Sequence, residues 1–282
     1  EIGDGSRWGV KITFFEQTGG PQGIPHVVKQ AERFIGEDPF MFYLSDNIVL
    51  ADLNEFVGKF EKENCDCMLA LSEVKDPERF GIPYFDKQGN LVDTKEKPNN
   101  PPNNFAITGI YLFGAKSFFA AFEHIKKSAR GEYEIPDIFS YLLKNNYKVG
   151  YQEITGWWKD TGKPEDLLLA NALLMDQIDL GDNNYLVGEG TKIGKNVKID
   201  GPAIIGDNCI LENCEVKPHV TIGNSCTIKQ TKVGNSLLFD NCTIDCDIKI
   251  KDSILGKGAK VVKKQKDTAS RLILGDNTLA EI

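Results

Sequence analysis

The chain has 282 residues, of which 41% are hydrophobic and 26% are charged, and its formal net charge is −8 at pH 7. The length favours two domains and allows one large one, and the composition is that of an ordinary globular protein. The negative charge argues against a general nucleic-acid-binding surface, which would be basic. No apolar stretch approaches the ~20 residues that a membrane-spanning helix needs, and no signal-peptide pattern opens the chain.

The seven cysteines indicate a reducing compartment. They are odd in number and most lie among apolar and small residues, which is typical of packed thiols in the cytosol. Cys65 and Cys67 are too close together for the usual zinc-binding spacing, and the other five are scattered through a repeat region. We therefore expect a cytoplasmic protein whose cysteines fill its core.

The first 180 residues alternate predicted strands with predicted helices. After a turn-rich segment at residues 1–9, the strands are Val10–Phe15, Phe40–Leu44, Cys67–Leu71, Gly81–Phe85, Leu91–Val92, Ile107–Phe113 and Lys148–Tyr151. The helices are His26–Phe34, Leu53–Phe60 and Glu132–Leu143. This alternation predicts an α/β fold with a doubly wound, mainly parallel sheet.

The strand Phe40–Leu44 ends abruptly at a small residue, a carboxylate and an amide, namely Ser45, Asp46 and Asn47. A continuous apolar run of this length predicts a buried parallel strand, and ligands bind beyond the carboxyl ends of such strands. Asp46 would then lie where a metal ion or nucleotide binds. An ordinary strand-terminating turn explains the same residues. A second carboxylate, Asp160, lies near the end of the segment Gly156–Gly162, and its presence favours the ligand site over the ordinary turn.

The sequence pattern changes near residue 181, where aliphatic residues begin to recur every six positions. The repeat runs from Val187 to Val261 with slips of a single residue, and Gly, Asn and Asp recur between its aliphatic positions. A six-residue period predicts a triangular parallel β-coil, with the aliphatic side chains inside and the turn residues at the corners. We therefore expect two domains, residues 1–180 and residues 181–282, with the tail from Lys263 as a cap or return strand for the coil.

Several motifs occur together in one order along the chain. They are Gly3–Gly9, Glu16-Gln17, Leu44–Asn47, Glu96–Pro98, Thr108-Gly109 and Trp158–Gly162. Together they resemble the sugar-1-phosphate nucleotidylyltransferases, and most closely the long form of the glucose-1-phosphate thymidylyltransferases. That form carries a left-handed β-helix after its catalytic domain. The resemblance implies a cytoplasmic enzyme, acting as a homo-oligomer, that joins dTTP, or UTP as an alternative, to glucose 1-phosphate and releases pyrophosphate.

The resemblance also implies the residues that carry the chemistry. Asp46 and Asp160 would hold Mg²⁺, which prefers one or two carboxylates together with phosphate oxygens and waters. Lys97 would neutralise the sugar phosphate and Glu96 would accept hydrogen bonds from sugar hydroxyls. The remaining implied contacts are Gln17 and Gly23 with the pyrimidine, Gly81, Ile107 and Gly109 with the sugar, Arg130 with a phosphate, and Trp158 with the sugar ring. From the residues alone, Glu96 and Lys97 also fit a solvated pair before a turn, and Trp158 also fits a core aromatic.

One departure from the family leaves the function open. The family's signature is a Gly-rich loop with an Arg, and further on a Lys, that bind the triphosphate, and nothing in this sequence matches that loop. We therefore expect weak or no nucleotidyl transfer from these 282 residues alone. A non-catalytic relative that senses nucleotide sugars is one alternative. An acyltransferase is another, because such coils often carry that activity, and it would need His219, the coil's histidine, as a catalytic residue rather than a corner or surface residue.

Overall fold

A computed structural model describes residues 3–154, 158–262, 269–270 and 272–280. Gly156 and Trp157 of the motif before Asp160, and residues 263–268, 271, 281 and 282 of the predicted cap, lie outside the described residues. The contacts divide the chain into two compact units, Glu1–Trp158 and Lys159–Ile282. In the part of the chain that the structure describes, no helix is long and apolar enough to cross a membrane.

The first unit contains a sheet with helices on its two faces. Its helices are α1 (Ile24–Gln30), α2 (Glu32–Ile35), α3 (Leu53–Glu63), α4 (Ala115–Phe122) and α5 (Ile135–Lys144). Its strands are β1 (Phe40–Tyr43), β2 (Asn47–Val49), β3 (Cys67–Glu73), β4 (Gly81–Phe85), β5 (Leu91–Glu96), β6 (Phe105–Phe113) and β7 (Val149–Glu153), and β8 (Trp158–Asp160) begins at the last residue of the unit. The main sheet has the order β5-β4-β6-β3-β7, and β1 also pairs with β6.

This sheet is mixed, which corrects the predicted mainly parallel arrangement. Of its described pairings, β3 with β7 is parallel, whereas β1 with β6, β3 with β6, β4 with β5 and β4 with β6 are antiparallel. A parallel pair cannot be joined by a tight turn, and β3 and β7 are separated along the chain by β4, β5, β6, α4 and α5. The short turn between β4 and β5 holds no helix, so these strands form a hairpin.

Strand β3 is the central buried strand, because its alternate side chains enter two separate cores. Cys67, Leu69 and Leu71 pack in a cluster with α4 and α5, whereas Met68 and Ala70 pack in a second cluster that contains Phe56 and Phe60 of α3. Helix α3 begins at Asp52, whose side chain accepts the Asn54 backbone N–H at 2.8 Å. The helices therefore cover both faces of β3, and the predicted α/β class is confirmed.

Strand β1 differs from its prediction. It pairs antiparallel with β6 and none of its four residues is buried. The run Phe40–Tyr43 is apolar enough for a buried parallel strand, but its position in the sheet leaves it half covered. Residues 10–15 are neither helix nor strand, and Phe14 is 72% exposed. The predicted helix His26–Phe34 is two short helices, α1 and α2, which meet at Ala31.

The second unit is helix α6 (Pro164–Met175) followed by a parallel β-helix. Its strands after β8 are β9 (Tyr185–Val187), β10 (Lys192–Ile193), β11 (Lys198–Ile199), β12 (Ala203–Ile205), β13 (Ile210–Glu212), β14 (Glu215–Val216), β15 (Val220–Ile222), β16 (Thr227–Lys229), β17 (Lys232–Gly234), β18 (Ser236–Leu238), β19 (Thr243–Asp245), β20 (Lys249–Lys251), β21 (Ile254–Leu255), β22 (Lys260–Val261), β23 (Ala269–Ser270), β24 (Ile273–Leu274) and β25 (Leu279–Ala280). Every third strand from β9 onwards joins the same sheet, which gives three sheets of six, five and six strands. The predicted β-helix is confirmed.

The interior of the β-helix is made of the predicted aliphatic residues together with cysteines. From Ile205 to Val261 the repeat's aliphatic side chains are buried, and the five cysteines of this region are buried among them as free thiols. Helix α6 belongs to this unit, since Asn171 donates to the His219 carbonyl at 3.1 Å and accepts from the Thr221 hydroxyl at 2.6 Å. The predicted boundary at residue 180 marks the change of sequence pattern and stays a prediction.

Candidate active site

The candidate site in the first unit lies where one side of β6 changes its partner strand. β6 pairs with β4 at Ile107, opposite Gly81, and with β1 from Ile110 onwards, opposite Tyr43. Because β3 occupies the other side of β6, β4 and β1 must share this side and leave a gap between them. The residues beside the gap are therefore the end of β1, the start of β4 and the middle of β6.

Three of the predicted substrate-binding residues lie side by side at this gap. Gly81 is opposite Glu96 on one side and opposite Ile107 on the other. A Cβ atom on Gly81 would lie 3.2 Å from the Glu96 carboxylate, so the glycine leaves that carboxylate uncovered. Lys97 follows with a left-handed backbone conformation, φ 45°, and its Nζ lies 3.4 Å from Glu96 Oε1. The structure thus groups Gly81, Glu96, Lys97 and Ile107.

Gly109, on the other side of the gap, is bonded to the turn that follows β1. Its N–H donates to Asn47 Oδ1 at 3.1 Å, and its carbonyl accepts from the Leu44 N–H at 2.8 Å. A Cβ atom here would lie 2.6 Å from Asn47 Nδ2 and 2.8 Å from Leu44 Cδ1. Only a glycine allows this close approach. Gly109 therefore positions the turn that carries Asp46.

Asn47 is the residue of this site that the sequence did not identify. Its side chain is buried, and its Oδ1 also accepts the indole N–H of Trp158 at 2.7 Å. Its Nδ2 donates to Asp46 Oδ1 at 2.8 Å, so one amide holds both the carboxylate and the indole. The only sequence signal was its place directly after Asp46, where an amide is also an ordinary turn residue.

Tyr111 is a buried phenol of β6 close to the candidate site. Burial raises the pKa of the Tyr111 phenol, and the negative charges of Glu96 and Asp46 raise it further. The ring stacks on Phe42 of β1 with 6.2 Å between ring centroids. The phenol therefore stays neutral, and its ring packs β1 against β6.

The two residues predicted to contact the base lie on a segment packed against residues 127–134. Gln17 Nε2 lies 3.4 Å from His26 Nδ1, and the His26 ring stacks on Tyr133 with an interplanar angle of 7°. Gly23 has φ 91°, and a Cβ atom there would overlap the Tyr133 carbonyl. The structure therefore fixes Gly23 by close packing and gives Gln17 a histidine neighbour that the sequence did not point to.

Arg130, the predicted phosphate contact, is held by a carboxylate in the structure. Its Nη2 and Nε donate to the two oxygens of Glu134 at 2.8 and 3.2 Å. The Ser128 hydroxyl donates to the same carboxylate at 2.7 Å. Burial alone would raise the pKa of Glu134, but the hydrogen bonds from Arg130 and Ser128 outweigh it and the pKa is lowered. Glu134 is a second residue that the sequence analysis missed.

Asp160 belongs to the second unit, where its Oδ1 accepts the Gly162 N–H at 2.9 Å. The neighbouring Lys159 pairs with Asp166 of α6 at 2.8 Å. Among the described residues, no group of three or more His, Cys, Asp or Glu side chains could hold a metal ion. Asp46 and Asp160 each offer carboxylate oxygens. Mg²⁺ is usually bound by one or two carboxylates, and substrate phosphates complete its coordination shell.

His219 lies at a corner of the β-helix with φ 61°. Its Nε2 is 3.1 Å from Asp176 Oδ1, and its carbonyl accepts from Asn171. These two contacts hold Asn171 of helix α6 and its C-terminal cap residue Asp176 against the coil. They give His219 a structural role.

Comparison with known proteins finds matches to two family models along the chain. A family model described as nucleotidyl transferase matches residues 1–177, and one for six bacterial transferase hexapeptide repeats matches residues 184–214. The low-salt glycan biosynthesis nucleotidyltransferase of Haloferax volcanii is 35% identical over 98% of this chain and 81% of its own. A glucose-1-phosphate thymidylyltransferase of Streptomyces griseus is 31% identical over 100% of this chain and 82% of its own.

A solved structure is also similar. It is assigned as a glucose-1-phosphate thymidylyltransferase from Bacillus anthracis in complex with a sucrose, and it is 36% identical in sequence with a TM-score of 0.57. The similarity covers 64% of this chain and 72% of that one. The fold and the sequence therefore point to the same group of proteins.

Proposed function

The chain belongs to the nucleotidyl transferase family, and we propose that it transfers a thymidylyl group from dTTP to glucose 1-phosphate, giving dTDP-glucose and pyrophosphate. The observation that carries this proposal is the gap beside β6, where Gly81, Glu96, Ile107 and Gly109 come together next to Asp46. Such a site suits a sugar phosphate, because it combines open backbone with a carboxylate and a lysine. Relatives named as thymidylyltransferases match the whole chain.

The proposed reaction needs positioning more than covalent help. An oxygen of the sugar phosphate attacks the α-phosphorus in line, a new P–O bond forms, and the bond from the α-phosphorus to the bridging oxygen of the pyrophosphate breaks. Lys97 neutralises the sugar phosphate, so that its oxygen can approach another phosphate. Glu96 accepts hydrogen bonds from sugar hydroxyls, and the missing side chain of Gly81 leaves the Glu96 carboxylate open to them.

The metal follows from the same proposal. Asp46 and Asp160 would hold Mg²⁺, which when bound supplies positive charge to phosphate oxygens. Within this chain, Asn47 orients the Asp46 carboxylate through its Nδ2. Asp160 is oriented by the Gly162 N–H. We also propose that the protein works in the cytoplasm as a homo-oligomer.

The pyrimidine contact is proposed for Gln17 and Gly23. A side-chain amide both donates and accepts, as the imide edge of a pyrimidine requires. His26 lies beside this amide, with its Nδ1 3.4 Å from Gln17 Nε2. Discrimination between dTTP and UTP depends on one methyl group, worth ~1 kcal/mol in an apolar pocket. UTP is therefore the second candidate nucleotide, and a UTP–glucose-1-phosphate uridylyltransferase of Haloferax volcanii is 34% identical over 56% of this chain.

The test is pyrophosphate release by the full-length natural protein with glucose 1-phosphate and Mg²⁺, using dTTP, UTP, ATP and GTP in parallel. We expect dTTP to be the best substrate and UTP to be used less well. A clear preference for a purine nucleotide would refute the role of Gln17. Binding of dTTP or dTDP-glucose without any turnover would favour the non-catalytic relative instead.

A further inference from the structure

Strand β6 contains a bulge directly beside the candidate site. Leu69 of β3 is opposite Tyr111, and Leu71 is opposite Ile107. Between these two pairs β3 advances by 2 residues (69 to 71) and β6 by 4 (107 to 111), so β6 has 2 extra residues. Thr108, Gly109 and Ile110 thus face Ala70 alone. Bulges of this kind interrupt the hydrogen-bond ladder and are common next to active sites.

The Ala70 carbonyl of β3 lies opposite the bulge. The Leu71 carbonyl accepts from the Ile154 N–H, on the β7 side. Successive carbonyls along a strand point to opposite sides, so the Ala70 carbonyl points towards β6. It accepts the Thr108 hydroxyl at 2.9 Å, and the Thr108 side chain is 0% exposed. The hydroxyl therefore bonds the bulged segment of β6 to β3 inside the sheet.

The next residue carries the effect of this bond into the site. Gly109 bonds to the turn after β1 with both its N–H and its carbonyl. Within that turn, Asn47 holds the Asp46 carboxylate at 2.8 Å and the Trp158 indole at 2.7 Å. A change in the path of β6 at Thr108 would move Gly109, and Gly109 would take the turn with it.

We propose that Thr108 is a positioning residue, whose hydroxyl fixes the bulge of β6 and through Gly109 and Asn47 sets the orientation of Asp46 and Trp158. The proposal rests on the proposed function in one respect, the role of the oriented Asp46 carboxylate in holding Mg²⁺. Thr108 touches no reacting atom in this account. A side chain that only stabilised the fold would affect unfolding and leave the site's geometry and rate unchanged.

The test compares three substitutions in the full-length protein. Thr108→Val keeps the branched shape and removes the donor, whereas Thr108→Ser keeps the donor and removes a methyl group. Thr94→Val is the matched control, because Thr94 is also buried in this unit and its hydroxyl donates to the Pro136 carbonyl at 3.2 Å, away from the bulge. Each variant is checked for its unfolding midpoint before any other measurement.

The first readout is the indole N–H resonance of Trp158, identified by its disappearance in Trp158→Phe. We expect Thr108→Val to shift or broaden this resonance, because the bond to Asn47 is disturbed. Thr108→Ser and Thr94→Val should leave it in place. This signal does not depend on catalysis, so it tests Thr108 even if the wild-type protein transfers no nucleotidyl group and the proposed function fails.

The second readout is steady-state kinetics. Thr108→Val should lower kcat on the order of 10-fold or more, since small misplacements of catalytic groups cost rates of this size. Thr108→Ser and Thr94→Val should keep kcat within about threefold of the wild type, which leaves room for small effects on packing.

Two results would overturn the proposal: an unchanged indole resonance in Thr108→Val, or the same shift in Thr94→Val. If Thr108→Val does not fold, Thr108→Cys takes its place, because its thiol is a weaker donor than the hydroxyl. A shift of the indole resonance in a folded Thr108→Cys protein, absent from Thr94→Val, would then support the proposal. An unmoved indole resonance in a folded Thr108→Cys protein would contradict it.

Discussion

At the scale of single residues, Lys97 allows a direct test of the proposed sugar-phosphate contact. Its Nζ lies 3.4 Å from Glu96 Oε1, and its side chain is 55% exposed, so the ammonium is accessible to a ligand. In Lys97→Gln we expect KM for glucose 1-phosphate to rise by about tenfold or more, since each lost charge-assisted hydrogen bond is worth roughly 1.5–3 kcal/mol. KM for dTTP should change by less than about threefold, because the proposed base contacts lie on another segment.

The matched control for Lys97 is Lys95→Gln. Lys95 lies two residues earlier on β5, and its ammonium is 4.9 Å from the centre of the Tyr84 ring. Loss of one positive charge there should leave both KM values unchanged. Equal effects of the two substitutions would show that Lys97 acts through overall charge and not through a contact.

The sequence analysis singled out five residues that the structure brings to the gap beside β6, namely Gly81, Glu96, Lys97, Ile107 and Gly109. It did not identify Asn47, although Asn47 ends a quoted motif, or Glu134, which lies in a predicted helix. Their importance depends on burial and on partners far away in the chain, such as Trp158 for Asn47. Neither property is visible in the local residue pattern, where an amide or a carboxylate in a turn is ordinary.

At the scale of elements, one face of the β-helix carries a charged ladder across β11, β14 and β17. Lys217 lies 2.9 Å from Asp200 and 3.1 Å from Glu215, and Lys232 lies 2.7 Å from Glu215. The hydrogen bonds from Lys232 and then Lys217 lower the pKa of Glu215, and those from Lys217 and then Lys198 lower the pKa of Asp200. These ion pairs join successive coils to one another.

The lowered pKa values predict the pH dependence of the coil's stability. A carboxyl group whose pKa is lower in the folded than in the unfolded state stabilises the fold above its unfolded pKa, and this contribution is lost as the pH falls through the folded pKa. We therefore expect the unfolding midpoint to fall as the pH decreases from about 5 to about 3, through the ordinary pKa values of Asp and Glu and below them. Glu215→Gln should make this fall shallower. Glu189→Gln removes a carboxylate outside the ladder, and an equal effect of that substitution would contradict the prediction.

Elements with a strong period were predicted well, whereas two of the short apolar runs were not. The six-residue repeat predicted the β-helix because every coil must place an aliphatic residue inside. The run Phe40–Tyr43 is as apolar as a buried parallel strand would be, yet it forms a half-exposed antiparallel strand. Residues 10–15 form no strand at all. In these two cases the neighbouring strands decide whether the run forms a strand and in which direction it pairs. A single stretch of sequence does not show which strands will be its neighbours.

At the scale of the whole molecule, the second unit should fold without the first. Its core cluster, from Ala203 to Val261, draws only on residues of the coil, and each coil is stabilised by its neighbours. We expect the fragment 159–282 to be monodisperse and to unfold cooperatively, as measured by circular dichroism. A fragment that unfolds without cooperativity or aggregates would contradict the independence of this unit.

The fragment 181–282 is the informative comparison. It lacks helix α6 and therefore the two hydrogen bonds of Asn171 with His219 and Thr221. It also loses Leu168 and Met175, which are buried. We expect a lower unfolding midpoint than for 159–282. Equal stability of the two fragments would favour the boundary at residue 180 that the sequence pattern predicted.

The measurement that tests the central claim most directly follows the phosphates of dTTP. The full-length protein is given glucose 1-phosphate, Mg²⁺ and dTTP labelled either at the α- or at the γ-phosphate. The account predicts that the α-label appears in dTDP-glucose and the γ-label in pyrophosphate, and that Asp160→Asn abolishes both products while the protein remains folded. Release of the γ-label as inorganic phosphate, with no label in a sugar nucleotide, would contradict it.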